Sequence, residues 1–357
     1  MRLSIVVPVY NGAPYVENCF NNLCSSTFQD WELILVNDGS KDDSKKVIDS
    51  IKEKDSRVVA IHKENGGTST ARNAGLDVAR GEYIYFMDCD DEVDKTMLEK
   101  MIAMMDKTSA DVGVCGFYTK VDQIDKKGQK YTAYQQGTSY PTSAYKSRKE
   151  IKECLVDMWD ADVLQYVWNK LYRLDVIRKY DMHFRVGHVY TEDTVFNRQF
   201  VLNATSIALT EECLYFYYKE RPGSMTDTYR KDYFKIRDGE YNEFKQHFKD
   251  MGEWNEDSRE FCSRQFIERV SGTIENLFHS TKEQLPTRKR INYTRWLLNN
   301  DDVVEACKYA KCRSKKMKVL AWPIKHKLTV LAYIEHLMVY KIRTANPVLF
   351  YKLKKGR

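Results

Sequence analysis

The sequence predicts an α/β fold: a parallel sheet covered by helices on both faces, followed by a helical C-terminal region. Three observations carry that expectation. Continuous apolar runs of strand length alternate with amphipathic stretches through the first third of the chain, the pattern of a sheet buried on both sides. Acidic residues gather just after the second and fourth apolar runs, at the edge where such sheets bind ligands. From about residue 227 to residue 310 the pattern is wholly helical.

Each element has its own signal. "LSIVVPVY" is an apolar, β-branched run and reads as a buried strand, and residues 13–25 suit a helix. "WELILVN" is the second strand, and "DDSKKVIDSIKEK" is a helix that Ser40 or Asp42 can cap. "RVVAIHK" and "EYIYFMD" are the third and fourth strands, followed by helices over "TSTARNAGLDVA" and "KTMLEKMIAMMDK"; "DVGVCGF" is a fifth strand. Residues 118–148 are polar, rich in Tyr, Lys and Gln, and without clear period, which reads as an excursion or loop. Then come a helix from 149, "YVWNKLYRLDVIRKY", a helix over "EDTVFNRQFVLNA" and a strand "CLYFYYKE". The expected division is 1–117, 118–226 and a helical 227–357. No internal repeat is present.

With 357 residues, 43% hydrophobic and 30% charged, the chain has enough apolar material for a substantial core and reads as globular rather than disordered. Its nine cysteines are scattered and form no CxxC, which supports neither a zinc site nor a disulfide framework and fits a reducing compartment. The opening apolar run is broken by Pro8 and soon turns polar, unlike a signal peptide. No stretch reaches the roughly 18 apolar residues of a membrane span. The net charge of +6 hides an asymmetry: residues 311–357 hold thirteen Lys or Arg and one acid, Glu335, so an acidic body carries a basic tail.

"FMDCDDEV" aims three carboxylates, Asp88, Asp90 and Asp91, at one point. Charges this close repel unless water screens them or a cation sits among them. Asp88 and Asp90, at i and i+2, share one face of an extended chain, and hard oxygen ligands suit Mg²⁺ or Mn²⁺. The plainer reading, an acidic cap on the next helix, needs one acid rather than three, and Asp91 or Asp94 can serve it.

Four other places carry paired readings. Asp38 in "VNDGSKDDS" either shapes a turn or accepts a hydrogen bond from a ligand N–H such as that of uracil, with Tyr10 of "PVYNG" beneath the base. Arg72, in the first turns of the helix opened by "ENGGTSTARNAG", reaches an anion in the crevice or lies on the surface. Glu192 and Asp193 of "YTEDTVF" complement a helix dipole or place a base against an alcohol. Arg221 and Ser224 of "YYKERPGSMT" clamp phosphates beyond a strand or form an exposed basic loop.

The ordered set "SIVVPVYNGAPYVENCFNNL", "VNDGSKDDS", "NGGTSTARNAGL", "GEYIYFMDCDDEV", "WNKLY", "TEDTVF" and "YYKERPGSMT", from residue 3 to about 226, resembles the bacterial family 2 glycosyltransferases of GT-A fold. The resemblance implies a Rossmann-like nucleotide-sugar-binding half at 1–117 and an acceptor-binding half at 118–226. It also implies inverting transfer of a hexose or N-acetylhexosamine from a UDP-sugar, assisted by Mn²⁺ or Mg²⁺. Carried onto these positions, Pro8, Tyr10, Asp38, Arg72, Asp88, Asp90, Arg221 and Ser224 bind donor, with Asp90 and Asp88 on the metal. Asp193 is the base; Glu192, Trp168 and Asp91 stand near the acceptor. The QxxRW motif of processive members is absent, which implies single-sugar addition to a glycan or polyprenyl-linked saccharide in cell-surface polysaccharide or capsule synthesis.

Other classes fare worse. A dehydrogenase needs GxGxxG, and a sugar nucleotidyltransferase GxGxR, where this chain has "PVYNGAPY". A non-catalytic nucleotide-sugar or membrane-surface binding protein is expected to lose the DxD or the base, and both are intact. The tail "KCRSKKMKVLAWPIKHKLTVLAYIEHLMVYKIR" mixes Lys with Trp322, Leu328, Leu331, Ile334 and Leu337 at helical spacing. It is expected either to pack on the catalytic domain or to dock on an anionic membrane, at the inner face of the plasma membrane. Nucleic acid is not an expected partner, because the body is acidic and no recognition module appears.

Overall fold

The computed structural model describes residues 1–124, 130–134, 137–187, 191–218, 229–281 and 283–345. Contacts divide the chain into two units, Met1–Arg221 and Pro222–Arg357.

In the first unit the apolar run β1 (Leu3–Val9) lies between β2 (Trp31–Asp38) and β4 (Tyr83–Phe86), with β3 (Val58–Lys63) outside β2, all parallel. Helices α1 (Ala13–Cys24), α2 (Ser44–Lys54) and α3 (Thr68–Val78) form the crossovers, as the alternating pattern requires. On α3, Gly75 meets β1 so closely that a Cβ would stand 2.3 Å from Val6 Cγ1. Only glycine permits that approach.

After β5 (Glu92–Val93) and α4 (Met97–Thr108), β6 (Val112–Ile124) continues the sheet and β7 (Lys130–Tyr134) returns antiparallel beside it. β8 (Ser143–Tyr145), α5 (Arg148–Glu153) and α6 (Leu155–Asp160) lead to β9 (Lys170–Arg173). Then α7 (Leu174–Lys179) and α8 (Glu192–Asn203) precede β10 (Ile207–Tyr218). The strand order is β3-β2-β1-β4-β9-β6-β10-β5, with β7 on β6 and β8 on β10. Two features depart from the sequence reading. β9 enters antiparallel between β4 and β6, so the sheet is mixed rather than parallel. The excursion expected from residue 118 is instead the continuation of β6 and its hairpin partner.

The second unit is helical among its described residues: α9 (Tyr233–Asp250), α10 (Glu256–Asn276), α11 (Thr287–Leu298), α12 (Asp301–Tyr309), α13 (Lys315–Lys325) and α14 (Thr329–Ala345). Asn255 and Ser258 form a reciprocal capping box at the start of α10, and α9, α12, α13 and α14 pack around that helix. The expected basic tail is thus two helices, broken at Lys327, whose φ is 56°. One side of each is core: Met317, Leu320, Ile324, Tyr333 and His336 are buried. No helix among the described residues is long and apolar enough to cross a membrane.

Candidate active site

The parallel register sets the site. Val6 pairs with Phe86, and Met87 N–H still donates to Val6 O at 3.1 Å, so the chain leaves the sheet at Asp88. The next residues turn sharply, with Asp91 N–H donating to Asp88 O at 3.3 Å, and leave Asp88 and Asp90 half-buried. The first turn of α8 adds Glu192 and Asp193.

Arg72 ties the two groups together. Its Nη2 donates to Asp88 Oδ1 at 3.0 Å and its Nη1 to Asp193 Oδ1, while the guanidinium lies 5.3 Å from the Phe184 ring centre. At 3% exposed, Arg72 is engaged with these two carboxylates in the fold. Asp193 Oδ2 accepts the Val167 N–H at 3.2 Å. Glu192 Oε2 is buried and, among the described residues, lacks a hydrogen-bond partner.

The acids outnumber their cation, and their titration reflects it. Burial, then the Asp90 and Asp193 charges, push Asp88 up to about 6 against the pull of Arg72. Burial and then Asp193 raise Glu192. Asp91 is held well above the usual carboxylate range, by burial and then by Asp88 and Asp90. Among the described residues no group of three or more His, Cys, Asp or Glu side chains is arranged to hold a metal ion. Mg²⁺, however, is ordinarily bound through one or two carboxylates plus substrate phosphates, and Asp88 with Asp90 fits that demand.

Asp91 and Trp168, expected near an acceptor, are both buried and engaged within the fold. Asp91 is buried and accepts Tyr215 O–H at 2.6 Å and Tyr218 N–H at 2.8 Å, which staples the acidic turn to β10. Trp168 is 2% exposed and stacked between Tyr166 and Tyr215, at 4.6 and 4.3 Å.

At the other end of the edge, Tyr10 follows β1 and is 51% exposed, while Pro8 is only partly covered. Asp38 pairs with Lys63 across β2 and β3, and its buried carboxylate accepts Lys63 Nζ at 2.6 Å and the N–H groups of Gly66 and Gly67 at 3.0 and 2.8 Å. It shapes the loop that opens α3, away from the turn of its own segment. Arg221 and Ser224 lie outside the described residues.

Sequence reasoning missed Lys170. It is fully buried, and its ammonium donates to Val163 O at 2.7 Å, to Asn169 Oδ1 at 2.8 Å and to Tyr166 O. Those contacts brace the segment that presents Val167 N–H to Asp193. The signal was a lysine and an asparagine inside the otherwise apolar and aromatic "VWNKLY".

Residues 4–180 match the sequence signature described as Glycosyl transferase family 2. The chain is 32% identical over 229 residues to the glycosyltransferase GlyG of Streptococcus pneumoniae, covering 63% of this chain and 73% of that one. It belongs to the family 2 glycosyltransferases. A further relative, the uncharacterized glycosyltransferase EpsJ of Bacillus subtilis, is 33% identical over 225 residues, which span 63% of each chain. The crystal structure of Staphylococcus aureus TarS 1–349 in complex with UDP-GlcNAc superimposes with a TM-score of 0.66 at 20% identity, covering 97% of this chain and 92% of that one. At that identity the likeness is one of fold: this glycosyltransferase has the GT-A α/β half and a C-terminal helical region.

Proposed function

We propose that this family 2 glycosyltransferase moves one sugar from a UDP-sugar to a hydroxyl of a glycan or polyprenyl-linked saccharide, inverting the anomeric centre. The observation that carries the proposal is the Arg72 bridge, which joins Asp88, two residues before Asp90, to Asp193. The UDP-GlcNAc held by the TarS structure supports the choice of donor.

Asp193 takes the proton of the acceptor hydroxyl, whose oxygen forms a bond to the anomeric carbon. The bond from that carbon to the diphosphate breaks, and UDP leaves with its electron pair. Both Asp193 oxygens are held, by Arg72 and by Val167 N–H, so the base is oriented before substrate arrives. Asp90 and Asp88 would hold Mn²⁺ or Mg²⁺, which supplies positive charge to the leaving diphosphate. In this reading Tyr10 lies against the base, and Asp38 accepts a uracil N–H. Arg221 and Ser224 complete the reading as diphosphate contacts. In this reading donor, acceptor and helical parts occupy 1–117, 118–226 and 227–357.

The basic tail directs the enzyme to an anionic membrane surface, at the cytoplasmic leaflet where lipid-linked saccharides for surface polysaccharide are built. The alternative is a protein that binds nucleotide sugars without turnover. The test is a panel of UDP-sugars with Mn²⁺, read as UDP release and as product configuration. Release that depends on the sugar, with an inverted product, supports the proposal. A retained configuration overturns the single displacement, and binding without release favours the alternative.

A further inference from the structure

The two helices that end the described chain have opposite faces of opposite character. Their inner sides are fixed on α10. His336 Nδ1–H donates to Ala332 O at 2.7 Å, which leaves Nε2 to accept Ser271 O–H at 2.7 Å, and Arg343 pairs with Glu275 at 3.2 Å. Their outer sides stay apolar. On α13, Val319 and Trp322 share a face with Lys315 and Lys318, at positions i, i+3, i+4 and i+7. On α14, Leu331, Ile334, Met338 and Ile342 repeat at spacings of 3, 4 and 4. These six apolar side chains are 38–59% exposed, and so are Leu328 and Val330 at the junction between the helices. A polar outer face is the ordinary solution for a surface helix, and this one is left exposed among the described residues.

Charge says what covers it. Lys315, Lys318 and Lys341 are exposed on the same two helices, and Lys327 is exposed at their junction. Beside them opens a cavity of about 230 Å³, lined by apolar Leu298, Val304 and Ile324 and by Lys308, Lys325 and Lys327. An apolar stripe carrying a tryptophan, edged by lysines, complements acyl chains below anionic headgroups. It does not complement a second copy of itself, because lysine would meet lysine.

We propose that the outer face of α13 and α14 is the docking surface of this chain on an anionic phospholipid bilayer, with phosphate headgroups taken beside Lys308, Lys325 and Lys327. The proposal rests on the membrane reading above and sharpens it. Removing residues 311–357 as a block cannot test it, because Met317, Leu320, Tyr333 and His336 are core. Point changes on the outer face can.

The experiment is co-sedimentation of the full chain with phosphatidylcholine vesicles, with and without phosphatidylglycerol, at low and high salt. Binding is expected only to the anionic vesicles, weakening as salt rises. Trp322→Glu with Leu331→Glu and Ile334→Glu is expected to reduce binding about tenfold or more, with UDP binding unchanged. Lys315→Gln, Lys318→Gln, Lys327→Gln and Lys341→Gln together are expected to flatten the salt dependence. If the full chain ignores anionic vesicles at low salt, the membrane reading and this one fall together. If it binds but neither variant weakens binding, the membrane reading stands and the α13–α14 face is wrong. Self-association in sedimentation velocity that the glutamate variant abolishes would make the face an interface between copies, which also overturns the proposal.

Discussion

Arg72 donates through Nη1 to Asp193 Oδ1, across 121 residues of chain, from the first turns of α3 to the first turn of α8. The same guanidinium donates to Asp88, so one buried cation orients carboxylates from two ends of the site. Removing it strands both. Arg72→Ala is expected to destabilise the fold by about 3 kcal/mol, the usual scale for breaking a buried ion pair, and to abolish turnover. Arg72→Lys keeps the charge but loses the fork that spans two carboxylates. It is expected to recover most of the melting temperature and little of the activity. Full turnover in Arg72→Lys would show that the bridge is dispensable.

The proposed base stands beside a rival. Asp193 has both oxygens held, whereas Glu192 has an unpartnered Oε2 and a pKa raised by burial. Asp193→Asn is expected to lower transfer by at least about 10²-fold, the scale of general-base catalysis, with UDP binding nearly unchanged. Glu192→Gln is expected to be mild. The reverse ranking in steady-state kinetics moves the base one residue toward the N-terminus.

How much of this was legible follows from what a local pattern can hold. The apolar runs of β1 to β4 announced themselves because both faces of that part of the sheet are covered, and the acids after β2 and β4 lay where a parallel sheet puts them. β9 did not announce itself. Four residues, inserted antiparallel between strands distant in sequence, leave no period to read. β7, whose only partner among the described residues is β6, needed no apolar run either. The partners of Arg72 were hidden for the same reason: a pair 121 residues apart is a fact of topology. Trp168 looked available because an aromatic in a motif reads alike whether it faces a ligand or is stacked between Tyr166 and Tyr215.

The acidic pair gives a prediction about pH. Asp88 titrates near 6 in the fold against an ordinary 3.8. The folded state therefore binds the extra proton between those values, and the stability linked to Asp88 is complete below about 3.8 and lost as pH rises through 6. Asp88→Asn, which cannot ionise, is expected to melt higher than the natural protein at pH 7.5 and to lose that advantage by pH 4.5, with transfer abolished. Scanning calorimetry at both pH values decides it. A lower melting temperature at pH 7.5 would mean that the Arg72 pair outweighs the repulsion.

Metal dependence isolates Asp90. It stands two residues beyond Asp88 on the same turn, and Asp90→Ala removes a carboxylate without removing core. Turnover is expected to collapse in this variant and in the natural protein treated with EDTA, and Mn²⁺ is expected to rescue only the natural protein. The circular dichroism spectrum should not change. Undiminished activity in EDTA, with no metal found bound, sinks the metal-assisted reading.

Lys170 is a positioning residue rather than a catalytic one. Its three N–H groups meet Val163 O, Tyr166 O and Asn169 Oδ1, which fixes the segment whose Val167 N–H reaches Asp193. Lys170→Met fills the same space and leaves those acceptors bare, at about 1–3 kcal/mol for each that water does not reach. The expected kinetic signature is a lower kcat with the donor KM nearly unchanged, since the donor side of the crevice is untouched. Stability supplies a readout of its own. Burial lowers the Lys170 pKa from 10.5 to about 7, against an opposing pull from Asp193. Between those values the unfolded chain binds the extra proton, so the lysine's contribution to stability grows as pH rises from 7 toward 10. The melting temperature of the natural protein should therefore gain on that of Lys170→Met across this range. If the difference is flat while kcat falls, the ammonium keeps its proton in the fold and acts through its three hydrogen bonds alone. If kcat is unchanged, the segment holds Val167 in place without it.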